Sequence, residues 1–233
     1  MNRNALTIFV PCLLAACFLG EPGFTGTRVR ADGGQCEKCA QCPNCECWIS
    51  LFDGKTLGDW KPNEHPEDWT VKDGAIVVNG HRGHLFYMNK NNDFKNFHFR
   101  AEVKTKPHSN SGIYFHTQWL DEGWPQHGYE SQVNISHEDP VKSGSLYNTV
   151  KIYKDDIEKV GLRNDVWWVQ EIIVRGKRVI VKLNGNVVID YTEPEGKEGT
   201  VKLSHGTFAL QAHDPGSTAY FRNLEVRRLP DNE

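Results

Sequence analysis

Phe97-His98-Phe99-Arg100-Ala101-Glu102-Val103-Lys104 decides the fold. Phe97, Phe99, Ala101 and Val103 alternate with His98, Arg100, Glu102 and Lys104, and side chains along an extended chain point to opposite faces with a period of two. The stretch therefore predicts a strand with one buried and one solvated face. Before it, Trp69 and Val71 lead into Asp73-Gly74, a turn pair that tolerates positive φ, and on to residues 76–78, which reads as a hairpin. After it, residues 168–174, 179–183 and 187–191, joined by Arg175-Gly176-Lys177 and Asn184-Gly185, read as a three-stranded meander. Residues 207–213 and 219–226, separated by Asp214-Pro215-Gly216, read as the last two strands. No stretch of about eleven residues carries a helical period. Many short strands without a solenoid or propeller repeat predict an all-β fold, a two-sheet antiparallel sandwich.

Three segments carry an unusual outer face. Glu130, Gln132 and Asn134 share one side of a strand whose other side holds Val133 and Ile135. Ile113 and Phe115 oppose Tyr114 and His116, and Phe208, Leu210 and Ala212 oppose Gln211 and His213. A solvated sheet face also reads polar outward, yet such faces usually favour Lys, Thr and Glu over a set of Gln, His, Tyr and Asn. The pattern predicts a ligand-binding face, with a merely solvated one as the alternative. The less regular stretches 117–128 and 137–165 hold Trp119, Trp124, His127, Lys142, Tyr147, Lys151 and Lys154, candidate rim residues because loops between sandwich strands concentrate binding groups.

A chain of 233 residues is a common length for a single β-sandwich domain. With 27 Lys and Arg against 30 Asp and Glu, and no sustained basic run, nothing neutralises a phosphate backbone, so nucleic acid is not an expected partner. Seven Trp suit a β-rich fold and also suit stacking on sugar rings, although core filling accounts for most of them. There is no phosphate loop, no nucleotide fingerprint and no serine nucleophile elbow, since Gly144-Ser145 lacks the flanking glycines. No cofactor is assigned; donors from separate strands could gather a divalent cation, but no local ligand spacing requires one.

The first residues read as an export signal: Arg3 precedes an apolar run from Ala5 to Leu19, too short to span a bilayer. Leu14-Ala15-Ala16-Cys17 resembles the bacterial lipobox, which implies cleavage before Cys17, a lipid anchor there and a periplasmic or cell-envelope lipoprotein. Cleavage after Val29-Arg30-Ala31 is the alternative and would release a soluble secreted protein. The expected organisation is a signal over residues 1–17, a flexible tether over 18–35, a Cys-rich segment over 36–47 and the sandwich over 48–230. Cys36, Cys39, Cys42, Cys45 and Cys47 repeat a Cys-x-x-Cys step without the ferredoxin spacing or a His to complete a mixed zinc site. In an oxidising compartment this favours disulfides over metal, and an odd count leaves one thiol for a disulfide-linked partner or a metal.

An ordered set of short motifs then stands out: Leu51-Phe52-Asp53-Gly54-Lys55 with Trp60, Asn110-Ser111-Gly112-Ile113, Gly128-Tyr129-Glu130-x-Gln132-Val133, Gly144-Ser145-Leu146-Tyr147, Val174-Arg175-Gly176, Asn184-Gly185, and Ala209-Leu210-Gln211-x-His213 followed by Phe221-Arg222-Asn223. This set resembles the 3-keto-disaccharide hydrolase domain, a family of concanavalin-like jelly-roll sandwiches common in exported bacterial proteins, and it covers about Trp48 to Leu229. The resemblance implies a saccharide substrate and cleavage of glycosides already oxidised at C3. A ketone at C3 acidifies the hydrogen on C2, so one base can remove it and the enolate can expel the group at C1.

Such chemistry does not need the paired carboxylates of an ordinary glycosidase, and only one acid, Glu130, occupies its strand face. Glu130 or His213 is the expected base, the other its partner or the proton donor to the leaving oxygen. His116, Gln132 and Gln211 are expected to bind sugar hydroxyls or the developing oxyanion, and Tyr129 and Trp124 to stack on the sugar. Lys151 is expected at the rim and Arg222 in support of the site, although an Arg beside Phe221 also fits a side chain reaching the sheet edge. A non-catalytic carbohydrate-binding or surface-display module using the same face is the rival reading.

Overall fold

The computed structural model describes residues 47–231, and there the alternation folds into two packed antiparallel sheets. The larger sheet takes β1 (Ile49–Ser50), β3 (Trp69–Lys72), β4 (Ala75–Asn79), β6 (Phe97–Thr105), β9 (Trp168–Arg175), β10 (Arg178–Leu183), β11 (Asn186–Thr192) and β13 (Thr218–Arg228). The smaller takes β2 (Trp60–Pro62), β5 (Gly83–Tyr87), β7 (Asn110–Thr117), β8 (Tyr129–Asn134) and β12 (Thr207–Ala212). The larger runs β11-β10-β9-β6-β13-β4-β3 with β1 against β13, and the smaller runs β2-β5-β12-β7-β8.

Burial follows the period of two. Phe97, Phe99 and Val103 of β6 are fully buried between the sheets, while Arg100, Glu102 and Lys104 remain on the outer side. Phe208 of the smaller sheet meets them, with ring centroids 4.6 Å from Phe99 and 5.0 Å from Phe97. Each such side chain contributes roughly 1.5–3 kcal/mol by leaving water. The far face of the smaller sheet is covered too: Trp119 packs on Phe86, closing a satellite cluster with Tyr114 and Ala209. The face read as solvated or ligand-binding is therefore roofed by the loop after β7.

Among the described residues, two short helical pieces interrupt the strands, a 3₁₀ turn at Pro66–Asp68 and α1 (Lys154–Lys159). Six residues are too few to show a helical period, which is why the stretch around α1 reads as irregular. The expected signal, the lipobox at Cys17, the tether and Cys36, Cys39, Cys42 and Cys45 lie outside the described residues, and with them the anchor and the disulfide-linked partner.

One irregularity bears on the site. Thr207 pairs with Thr117 but Phe208 pairs with Phe115, so His116 is an extra residue, held at φ 55. Such a bulge shifts the side-chain alternation by one from that point. Gly128, at φ +74, packs against it; a Cβ there would stand 2.0 Å from the Phe115 carbonyl oxygen.

Candidate active site

Pairing between β8, β7 and β12 brings their outward side chains together. Glu130 lies opposite Tyr114 and Gln132 opposite Gly112, while Tyr114 pairs on its other side with Ala209, two residues before Gln211. With the loops that carry Trp124, Asp139 and Tyr147, these residues line a cavity of about 360 Å³, within the range of small-ligand sites.

Glu130 is 7% exposed. Its Oε2 accepts a hydrogen bond from the Tyr114 hydroxyl at 2.8 Å and its Oε1 one from the Gln211 amide at 3.1 Å. Burial pushes the carboxyl up to about 7; the two hydrogen bonds favour the charged form and oppose this, and the Asp139 charge adds to it. Burial, and then the Glu130 charge, keep the Tyr114 phenol well above its usual range, so it stays a donor. Space for the carboxylate comes from Gly112, where a Cβ would stand 2.1 Å from Glu130 Oε1. The Gln132 side-chain oxygen accepts the Val133 N–H at 3.3 Å, leaving its NH₂ for the cavity. Two buried acceptors along the cavity, Asn110 Oδ1 and Gln211 Oε1, have no protein donor. Each unmet acceptor costs about 1–3 kcal/mol, which a ligand hydroxyl would relieve.

His213 stands just past β12, its Nδ1 2.7 Å from Asp214 Oδ2. Ser217 Oγ donates to the same oxygen at 2.8 Å, and the Gly216 N–H donates to Oδ1 at 2.8 Å. Partial burial pushes the Asp214 carboxyl up, but the hydrogen bonds from His213, Ser217 and Gly216 outweigh it and hold the group below the usual carboxylate range. An ionised carboxylate only accepts, so Nδ1 of His213 carries a proton toward it, which leaves Nε2 as the nitrogen for a ligand. Trp124, 40% exposed, sits 5.8 Å from the His213 ring and stands edge-on to His84 at 5.5 Å. His84 is fully buried, and that burial pushes its imidazole down to about 3, so it is neutral at ordinary pH. His137 faces His213, ring to ring at 5.4 Å. Donor atoms of His137, His213 and Asp214 fall within 4.8 Å of one another and could hold a divalent cation, although the 2.7 Å contact within the group is a hydrogen-bond distance.

Of the residues expected at the site, Glu130, Gln132, Gln211, His213 and Trp124 line the cavity and His116, Tyr129, Lys151 and Arg222 do not. His116 is turned inward by the bulge: its Nε2 lies 2.8 Å from the Lys95 carbonyl, its Nδ1 accepts the Ser204 N–H at 3.1 Å, and burial lowers its pKa to about 4. Tyr129 precedes Glu130 and so faces the core, where its hydroxyl donates to Glu193 at 2.6 Å. Arg222 lies on the outer side of the larger sheet, bound to Glu102 at 2.6 Å and stacked 4.1 Å from the Trp167 ring. Lys151 is exposed before α1. Asn134, also read on the polar face, is fully buried, and its amide donates to the Val141 and Asp139 carbonyls, tying down the following loop. Glu130 does not pair with Arg100, which binds Glu225 at 2.6 Å on the other sheet. The roles of Tyr114, Asn110, Asp139 and Asp214 escape a reading by alternation alone. Tyr114 shows there as a polar-face residue, but its partner depends on register, and Asp214 shows only as a turn residue.

The family described as a 3-keto-alpha-glucoside-1,2-lyase-like domain matches residues 47–227. A protein of Bacteroides thetaiotaomicron named 3-keto-disaccharide hydrolase is 35% identical over 83 residues, which are 30% of this chain and 28% of that protein, so the match spans little more than a quarter of its length. A Parabacteroides distasonis ATCC 8503 structure described as a putative glycosyl hydrolase superposes with a TM-score of 0.63 at 22% identity, covering 78% of this chain and 94% of that one. The carbohydrate-binding module CBM66 of Bacillus subtilis superposes at 0.50 and 14% identity, covering 72% and 95%. At these identities the two structures show a shared sandwich fold.

Proposed function

Because the chain belongs to the 3-keto-alpha-glucoside-1,2-lyase-like family, we propose that its cavity binds a glycoside carrying a ketone at C3 and that Glu130 is the base that opens the glycosidic bond. The single observation that carries this reading is a buried carboxyl with its pKa raised to about 7 in a cavity of sugar size. A base with that pKa is matched to proton removal near neutral pH.

Glu130 takes the proton from C2, and the electrons of the broken C–H bond form the C2–C3 enolate. The Gln132 NH₂ donates to the enolate oxygen, a role supported by its side-chain oxygen being taken by the Val133 N–H. As the enolate collapses, the C3 carbonyl re-forms, a C1–C2 double bond forms, the C1–O bond breaks, and the leaving oxygen takes the Nε2 proton of the His213 imidazolium, whose Nδ1–H stays on Asp214. Addition of water across the double bond completes net hydrolysis. Asn110 Oδ1 and Gln211 Oε1 accept from sugar hydroxyls, and Trp124 supplies an apolar ring face. The name of the Bacteroides relative supports the carbohydrate substrate.

The test is turnover of a 3-keto-glycoside by E130Q, which keeps shape and most hydrogen bonding but removes the base. The expected result is a rate loss of about 10² or more with substrate still bound. An unchanged rate in E130Q would overturn the assignment. Ligand retention without product in the unmutated protein would leave a carbohydrate-binding module.

A further inference from the structure

Away from the cavity, the loop after β2 and the turn between β4 and β5 bring three metal-ligating side chains together. Donor atoms of His65, Asp68 and His81 fall within 4.8 Å of one another, and the imidazoles of His65 and His81 stack at 4.7 Å. His81 Nδ1 lies 3.1 Å from Asp68 Oδ2. Two ligands about 2.1 Å from one tetrahedral ion stand about 3.4 Å apart, so a shift of a few tenths of an ångström turns this hydrogen-bonded pair into one that shares an ion.

Several features hold the group in place. The His81 backbone N–H donates to Asp68 Oδ2 at 2.7 Å. Residue 80 must be glycine to admit that carboxylate, since a Cβ there would stand 1.9 Å from its carbon. His65 is held in the left-handed region at φ 49, which sets its ring over His81. Glu67, 3.5 Å from His65 Nδ1, adds negative charge beside the group. The Asp68 side chain is 12% exposed while those of His65 and His81 are 40% and 62% exposed, so an ion has an entry path to an already oriented carboxylate.

We propose that His65, Asp68 and His81 form a binding site for a divalent transition metal of the zinc class. Two imidazoles and one carboxylate favour such an ion over calcium or magnesium, which prefer all-oxygen shells, and leave the fourth position to water. The ion clasps the two loops that also meet through the Arg82–Glu64 ion pair at 2.7 Å. Glu64 in turn accepts the Gly123 N–H at 2.8 Å, beside Trp124 in the cavity wall, so the metal braces that wall from outside.

The experiment is a Co²⁺ titration of the full chain with its thiols alkylated, read by visible d–d absorption, with Zn²⁺ competition and thermal melts alongside. The expected result is one saturable tetrahedral site per chain, a Tm raised by about 5 °C at saturating Zn²⁺, an affinity lowered at least about tenfold in H65A and H81A, and no change in H137A. Since H81A removes a turn side chain, H65A and D68N, each checked for native circular dichroism, keep the outcome readable. Absence of saturable binding, binding indifferent to H65A, D68N and H81A, or binding lost in H137A instead would overturn the proposal.

Discussion

A carboxyl whose pKa is pushed from the usual 4.5 to about 7 holds its proton in the native protein to a higher pH than in the unfolded chain. Native Glu130 therefore binds more protons than the unfolded state between those values, and stability falls as pH rises through that window, with the full cost present above about pH 7. The shift corresponds to on the order of 3 kcal/mol. E130Q is thus expected to be more stable than the parent at pH 8 by about 2 kcal/mol, with the advantage largely gone at pH 4, as read by chemical denaturation at both pH values. Rotation of the Gln211 amide, whose oxygen lacks a donor, lets it pair with the new amide. The same substitution that removes the proposed base should therefore strengthen the fold. Asp214 acts one step back: D214N can no longer accept from His213 Nδ1 as a carboxylate does, so kcat on a 3-keto-glycoside should fall tenfold or more with KM little changed.

At the scale of the element, β7 is the scaffold of the site because it stands between β8 and β12. Its Gly112 leaves the volume that the Glu130 carboxylate fills. G112A should displace that carboxylate, lower kcat at least as much as loss of an oriented base does, and destabilise the protein by about 1–3 kcal/mol through overpacking; kinetics and a denaturation curve together check this. The strands themselves were legible, since alternation and turn pairs such as Asp73-Gly74 mark β3, β4, β6 and the β9-β10-β11 meander with little error. Alternation also placed Glu130, Gln132, Gln211 and His213 on one face. It failed at His116 because a bulge is a property of two strands paired out of step, and no single strand's pattern contains it. Tyr129 was misread against its own periodicity, and Arg222 lies on the other sheet, which only topology decides. The loops that bring in Asp139 and the turn that makes Asp214 a partner of His213 depend on contacts distant in sequence.

At the scale of the whole molecule, stability rests on aromatic packing between the sheets, and Phe208 is its hub, with Phe94, Phe97 and Phe99 around it. F208A should cost about 3–5 kcal/mol and lower Tm by roughly 10 °C, measured by calorimetry. Because Phe208 and Gln211 share β12, the same variant should also loosen the cavity. Glu130 and Gln132 on β8, Tyr114 on β7 and Gln211 on β12 sit on paired strands whose spacing hydrogen-bonded backbone sets, whereas Trp124 and Tyr147 ride on connecting segments. Descendants of this scaffold can therefore rewrite the roof, and so change which ligands gain admission, while inheriting the strand-borne floor unaltered.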